Sequence, residues 1–175
     1  MALAVVFSEK KEYTEADPLK IQLDKGVHEI VGGKFGCMNV IVTCSYITFV
    51  GKGKYETTIR GGFKVHNQQN VKFEELTITN PRSTGLWLRG SETTVDVLKC
   101  IVEECGDEGM SVCDGATVTA TQCEFMENGG IGVECGGANT KARLNDCEMY
   151  YNQSHGLYAC YDAVVDLHGT KTGIH

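Results

Sequence analysis

A chain of 175 residues is long enough for one domain with a real core. Its net charge of -7 argues against general affinity for nucleic acid or an acidic membrane, since both select a basic surface. The 21 glycines beside only 2 prolines show no G-X-Y period, which excludes collagen and suits short strands joined at tight corners.

The opening MALAVVFSEKKE carries an apolar run too short to span a membrane, and it lacks the charged start and cleavage site of a secretory signal. The next stretch, EKKEYTEADPLK, reads as part of a cap over residues 1–19, with a short helix expected through Tyr13 to Ala16 before Asp17-Pro18. From residue 20 the pattern changes. KIQLDKGVHEI, VIVTCSYITFVGKG and TTIRGG each alternate apolar and polar residues with period two, the signature of a strand, and they make two or three early and looser layers.

Downstream the alternation becomes a repeat. VDVLKCIV, VTATQCEF and ARLNDCEM place Cys100, Cys123 and Cys147 at steps of 23 and 24 residues. The same register reaches back to Leu76 and forward to Thr170. A second column, G-Φ-x-Φ, starts at Gly62, Gly85, Gly109, Gly130 and Gly156, with gaps of 23, 24, 21 and 26; an insertion in VECGGANTKA is expected to explain the uneven ones. The pieces are too short for amphipathic helices, and Val, Thr and Gly are poor helix formers.

One such unit cannot bury its apolar side, but stacked units can. The expected fold is all-β, a solenoid of about 6–7 rungs of roughly 23–24 residues with three short strands each, over residues 20–175. Its first wall would point Phe63, Leu86, Met110, Ile131 and Leu157 inward, beside Val65, Leu88, Val112, Val133 and Ala159. The second wall would hold Val71, Val95, Val118, Ala142 and Val165. The third would stack Leu76, Cys100, Cys123, Cys147 and Thr170, where cysteine serves as a small buried hydrophobe at a crowded corner. Nothing comparable to the cap follows VVDLHGTKTGIH. Either two copies stack end on end, or the chain continues, or the last rung suffices by itself.

IQLDKGVHEI followed by ITFVGKGKYETTIRG resembles the entry of the pectin-lyase-like family of single-stranded right-handed parallel β-helices, and the G-Φ-x-Φ…C-x-Φ units resemble its parallel β-helix repeats. The resemblance covers roughly residues 20 to 172. It implies that fold and leaves the activity open, because the fold serves many functions.

Alternation then fixes what faces solvent. On the first wall these are Lys64 and His66, Trp87 and Arg89, Ser111 and Cys113, Gly132 and Glu134, Tyr158 and Cys160. Small middle rungs between Trp87 and Tyr158 would make a shallow groove with aromatic walls. Aromatic rings beside basic groups stack on flat ligand faces and bond their polar edges, so Trp87, Arg89, Tyr158, Lys64 and His66 are candidate ligand contacts and a sugar chain the natural ligand. Arg89 would pair with Glu134 or Asp114, and Cys113 and Cys160 would be exposed thiols. On the third wall Glu124 and Glu148 would stack one rung apart, which should raise one of the two pKa values. Asn128 and Asn152 share a corner position with Cys105 and Pro81, a structural place.

Family enzymes supply the competing reading. The resemblance implies, for a lyase, Ca2+ held by acidic residues beside a basic one, for which Asp107, Glu108 and Asp114 near Arg89 are the available groups. For a hydrolase it implies aspartates with a G-H-G element, against which stands only QSHG with His155. Arg89, Asp114, Glu134 and His155 are therefore the catalytic candidates; outside the lyase reading no cofactor is expected. The epimerase Asp-Pro-His is missing, since Asp17-Pro18 leads to Leu19. GKGKYET lacks the spacing and following helix of a phosphate loop. The 9 cysteines form no C-x-x-C and no zinc spacing, and read as thiols of a cytoplasmic protein. Three functions follow: a recognition or scaffold module for a glycan or protein partner, a polysaccharide-active lyase or hydrolase, and a structural segment of a stacked assembly. The first is preferred, with neither nucleic acid nor membrane as a partner.

Overall fold

The computed structural model describes residues 12–31 and 39–174, and there the chain is a right-handed parallel β-helix. The first rung is β1 (Leu19–Gln22), β2 (Gly26–Glu29) and β3 (Asn39–Val42). The second is β4 (Ile47–Val50), β5 (Thr57–Arg60) and β6 (Gly62–His66). The third is β7 (Val71–Glu74), β8 (Thr77–Thr79) and β9 (Leu86–Arg89), and the fourth β10 (Thr94–Leu98), β11 (Ile101–Glu103) and β12 (Met110–Cys113). The fifth is β13 (Thr117–Thr121), β14 (Glu124–Met126) and β15 (Val133–Gly136), and the sixth β16 (Lys141–Asn145), β17 (Glu148–Tyr150) and β18 (Leu157–Cys160). β19 (Val164–His168) and β20 (Gly173–Ile174) follow.

Equivalent strands pair in parallel to make three walls. The first runs β3-β6-β9-β12-β15-β18, the second β1-β4-β7-β10-β13-β16-β19, and the third β2-β5-β8-β11-β14-β17-β20. Period-two alternation sends one set of side chains inward, where Phe49, Phe63 and Phe73 meet with ring centroids 4.7–5.4 Å apart. Above them Leu88, Met110, Phe125 and Leu144 are fully buried. Burial of each such side chain stabilises the fold by about 1.5–3 kcal/mol.

The glycine column is Gly62, Gly85, Gly109, Gly132 and Gly156, at even steps of 23 and 24, because Met110 pairs with Val133 and Val133 with Leu157. Val133 thus takes the inward place expected for Ile131, and Cys135 the place expected for Val133. Gly129, Gly130 and Gly132 offer competing starts, and a slip of two residues preserves the alternation, so parity cannot reject it. Glycine is required here by crowding. A Cβ on Gly109 would lie 2.7 Å from the Gly132 carbonyl and 2.7 Å from the Asn128 amide.

No single insertion disturbs the repeat. Corners between the first and second walls differ by one residue at most: Thr43–Tyr46, Asn67–Asn70, Gly90–Thr93 and Gly137–Thr140 have four residues, Asp114–Ala116 and Tyr161–Ala163 three. Two of the longer corners, Gly90–Thr93 and Gly137–Thr140, open with glycine at positive φ (97° at Gly90, 96° at Gly137) and close on a buried threonine. The Thr140 hydroxyl accepts from the Gly115 N–H one rung back at 2.9 Å and donates to the Gly136 carbonyl at 3.0 Å; Thr93 does the same with Asn67 and Arg89.

The corner between the second and third walls turns on one residue at φ near 50°, successively Glu75, Lys99, Gln122 and Asp146. Leu76, Cys100, Cys123 and Cys147 follow it on successive rungs, all buried. The next place belongs to Thr172, not Thr170, since Gly173 pairs with Glu148. Between the third and first walls, the Asn128 carboxamide oxygen accepts from the Cys105 N–H at 3.1 Å, and that of Asn152 from the Asn128 N–H at 3.1 Å. Asn80, rather than Pro81, precedes them, because the Gly106 N–H bonds to the Asn80 carbonyl as the Gly129 N–H does to that of Cys105.

The helix expected at Tyr13–Ala16 is not formed. Thr14 and Asp17 exchange backbone hydrogen bonds of 3.3 and 3.1 Å across a tight turn. Four residues cannot nucleate a helix unaided, and Pro18 biases Asp17 toward extended backbone. The rest of the expected cap, residues 1–11, lies outside the described residues.

Candidate functional site

Two outward columns run up the first wall. One is Lys64–Trp87–Ser111–Glu134–Tyr158, the other His66–Arg89–Cys113–Gly136–Cys160. The outward pair of the fifth rung is thus Glu134 and Gly136 instead of Gly132 and Glu134, a result of the same two-residue slip. The Lys64 ammonium sits over the Trp87 ring at 4.4 Å. Two shallow depressions adjoin that ring, one of about 190 Å³ shared with Ile41, His66 and Arg89, and one of about 280 Å³ shared with Thr84, Glu108 and Ser111. Tyr158 stands three rungs farther along the same column, with its ring 5.9 Å from that of His155. All five candidate ligand contacts therefore share one face, with Trp87 and Tyr158 toward opposite ends of its outer column.

The catalytic and metal candidates are distributed differently. Arg89 pairs with Asp114 at 2.5 Å, both about half exposed, whereas Glu134 accepts from the Ser111 hydroxyl at 3.1 Å. Glu108 accepts from the Thr84 hydroxyl at 2.9 Å at the entry to β12, while Asp114 follows its last residue, Cys113. The strand separates them, and among the described residues no group of three or more His, Cys, Asp or Glu side chains is set to hold a metal ion. Asp107 offers its carbonyl to the Gly130 N–H at 2.8 Å. His155 is exposed and bonds its neighbour Ser154 at 2.7 Å.

The thiols expected to be exposed are only partly so. Cys113 and Cys160 are both half-buried, and burial followed by the charge of Asp114 pushes the Cys113 thiol up. The eight described cysteines are free. Burial raises Cys100 and Cys105 to about 12 and Cys135 to about 11, so these thiols stay protonated and inert at neutral pH.

On the third wall Glu124 and Glu148 are register neighbours, yet Glu124 is held below the usual carboxylate range. Burial alone would raise it. That is outweighed by hydrogen bonds from Lys54 at 2.5 Å and from the Tyr150 hydroxyl at 2.7 Å, by the lysine charge, and by the Tyr55 hydroxyl at 3.3 Å. The expected raised carboxyl is therefore not found at Glu124. Its partner Lys54 lies 70 residues away, and no spacing in the sequence announces it. Beside this pair runs a groove of about 610 Å³ whose floor includes Gln122, Cys123 and Glu124.

Comparison with known proteins agrees with the architecture. No curated protein sequence matches the chain. Among solved structures, ORF18 of Geobacillus virus E2 is similar, with a TM-score of 0.67 at 14% identity. The similarity covers 93% of this chain and 34% of that one, and at such identity it concerns the fold alone. The family described as right handed beta helix region matches residues 31–148, well over half of the chain and the same rungs that build the three walls. The chain belongs to that right-handed β-helix family.

Proposed function

We propose that the chain is a recognition module that binds a glycan along the outer face of its first wall. The β-helix suits a scaffold or binding role in general, since each rung presents outward side chains in fixed register. The glycan reading rests on one observation: Trp87 is flanked by open depressions and by Lys64, His66 and Arg89, in a column that ends at Tyr158. Rungs repeat at about 4.8 Å, close to the length of one sugar unit, so an extended saccharide laid along the column meets one rung per residue. Trp87 supplies the stacking face; Lys64, His66, Arg89 and Tyr158 supply polar contacts to hydroxyl or carboxylate groups.

A glycan array with the wild-type chain and the Trp87→Ala, Tyr158→Ala double variant tests this. The expected result is binding that falls about tenfold or more on losing the rings, with no product released from pectate or alginate, with or without calcium. Release of uronides that depends on Arg89 or Asp114 would establish the lyase reading instead. Absence of any glycan binding, with light scattering that rises with protein concentration, would establish end-on assembly.

A further inference from the structure

The third wall carries an anomaly that the repeat does not explain. Thr77, Ile101, Glu124 and Glu148 form one outward column, yet Thr77 is 3% and Ile101 4% exposed. The cover reaches them from the second rung. Between β4 and β5 the segment Gly51–Glu56 lies against this wall; the Lys54 carbonyl accepts from the Thr77 hydroxyl, and the Lys54 side chain reaches Glu124 on the fifth rung.

The two ends of this segment are held in different ways. Its base is tied by backbone: the Gly53 N–H bonds to the Glu75 carbonyl at 3.1 Å, the Lys52 N–H to the Thr57 hydroxyl at 2.9 Å, and the Thr57 N–H to the Gly53 carbonyl at 3.0 Å. Its tip is tied by the Thr77 hydroxyl on the Lys54 carbonyl and by side chains that converge on one carboxylate. Lys54 and Glu124 are 2.5 Å apart and only 24% and 19% exposed, and the Tyr55 hydroxyl adds a bond to the same oxygen. Tyr150 from β17 holds the other oxygen, which keeps Glu124 aimed at the lysine. Beyond the tip opens the groove of about 610 Å³, with Lys54 and Tyr55 on one side and Thr170 and Lys171 on another.

We propose that Gly51–Glu56 is a strap with a fixed base and a detachable tip, that Lys54–Glu124 is its latch, and that release lengthens the groove along the wall over Ile101 and Thr77. Closed, the strap shields an isoleucine that would otherwise face water and walls off one end of the groove. Open, it adds an apolar floor to a polar channel. The charged groups facing Glu124 are Lys54 from the strap, Glu148 from β17 and Glu103 from β11; Tyr55 and Tyr150 are its hydroxyl partners. Lys99 and Glu75 pair with each other at 3.6 Å along the groove. The latch is complete while Glu124 is ionised, throughout the neutral range, and it is lost as pH falls through the lowered pKa of that carboxyl.

Trypsin reads the strap directly, because Lys52 and Lys54 lie within it. In the full chain at neutral pH, Glu124→Gln is expected to speed cleavage after these two lysines by about tenfold, the loss of a charge-assisted pair, with cleavage elsewhere rising far less and the melting temperature falling by only a few degrees. Tyr150→Phe should give a smaller increase. Hydrogen exchange over residues 51–57 gives a second readout that needs no cleavage. Cleavage and exchange at wild-type rates in Glu124→Gln overturn the proposal. So does a variant in which all other sites speed up as much as Lys52 and Lys54, since the contact would then be a prop of the whole fold.

Discussion

Leu144 and Leu167 occupy the same inward column of the second wall, one rung apart, yet the first is fully buried and the second 45% exposed. The residue type, strand position and register are identical, so the difference comes from the neighbours. Leu144 has a rung on each side; Leu167 has β16 on one side and no described strand on the other. In a solenoid the adjoining rungs confer burial, and a side chain contributes what its neighbours allow. The middle rungs and the last described rung therefore differ in energy more than in structure.

Truncation should expose this difference most strongly. Leu144→Ala removes a fully enclosed side chain and is expected to lower the unfolding free energy by about 2–5 kcal/mol. Leu167→Ala, already half in water, should cost less than about 1 kcal/mol. Urea titration of the two variants measures both. Equal losses would break the comparison and would mean that another surface covers the last rung in solution.

The glycine column makes a similar contrast at smaller scale. A methyl group on Gly109 would press on the Gly132 carbonyl and the Asn128 amide, both at 2.7 Å and neither free to retreat without moving a rung. On Gly156 it would meet the Ile174 side chain at 2.6 Å, with the Met149 Cβ and carbonyl farther off at 3.1 and 3.3 Å. Ile174 is about half exposed and able to swing aside. Gly109→Ala should therefore destabilise by about 1–3 kcal/mol and Gly156→Ala by less, seen as a larger drop in melting temperature for the first. Similar drops would show that the Ile174 side chain is held as firmly as a middle rung.

These contrasts also mark what the sequence could disclose. Alternation and the recurrence of Cys100, Cys123 and Cys147 revealed the walls, since one face of every strand must be apolar and equivalent places must accept equivalent sizes. The register around Gly130 and Gly132 was not legible, nor that around Thr170 and Thr172, because a two-residue slip leaves the inward face unchanged. The positive-φ corners at Glu75, Lys99, Gln122 and Asp146 carry none of the glycine or asparagine that usually signals that conformation, apart from the aspartate. The aromatic and basic column of the first wall followed from parity once the strands were placed. The Lys54–Glu124 latch did not, because a contact across 70 residues depends on how a loop folds over a wall and leaves no periodic trace.

Surface charge should be the one property that ignores position along the axis. Arg89–Asp114 in the middle rungs and Arg143–Asp166 nearer the last rung have distances of 2.5 and 3.8 Å, and every partner is about half exposed. Solvent screens both, so each pair should contribute no more than about 1 kcal/mol and lose most of that in high salt. Double-mutant cycles on the two pairs are expected to give coupling energies that agree within a few tenths of a kcal/mol. The middle pair has a second consequence. Asp114 holds the guanidinium beside the Trp87 depression from a backbone at φ 55°, so Asp114→Asn, which tolerates that conformation, should leave stability nearly unchanged while altering affinity for any ligand that Arg89 touches. An unchanged affinity in that variant would remove Arg89 from the binding face, and a large loss of stability would show that the pair braces the Asp114–Ala116 corner.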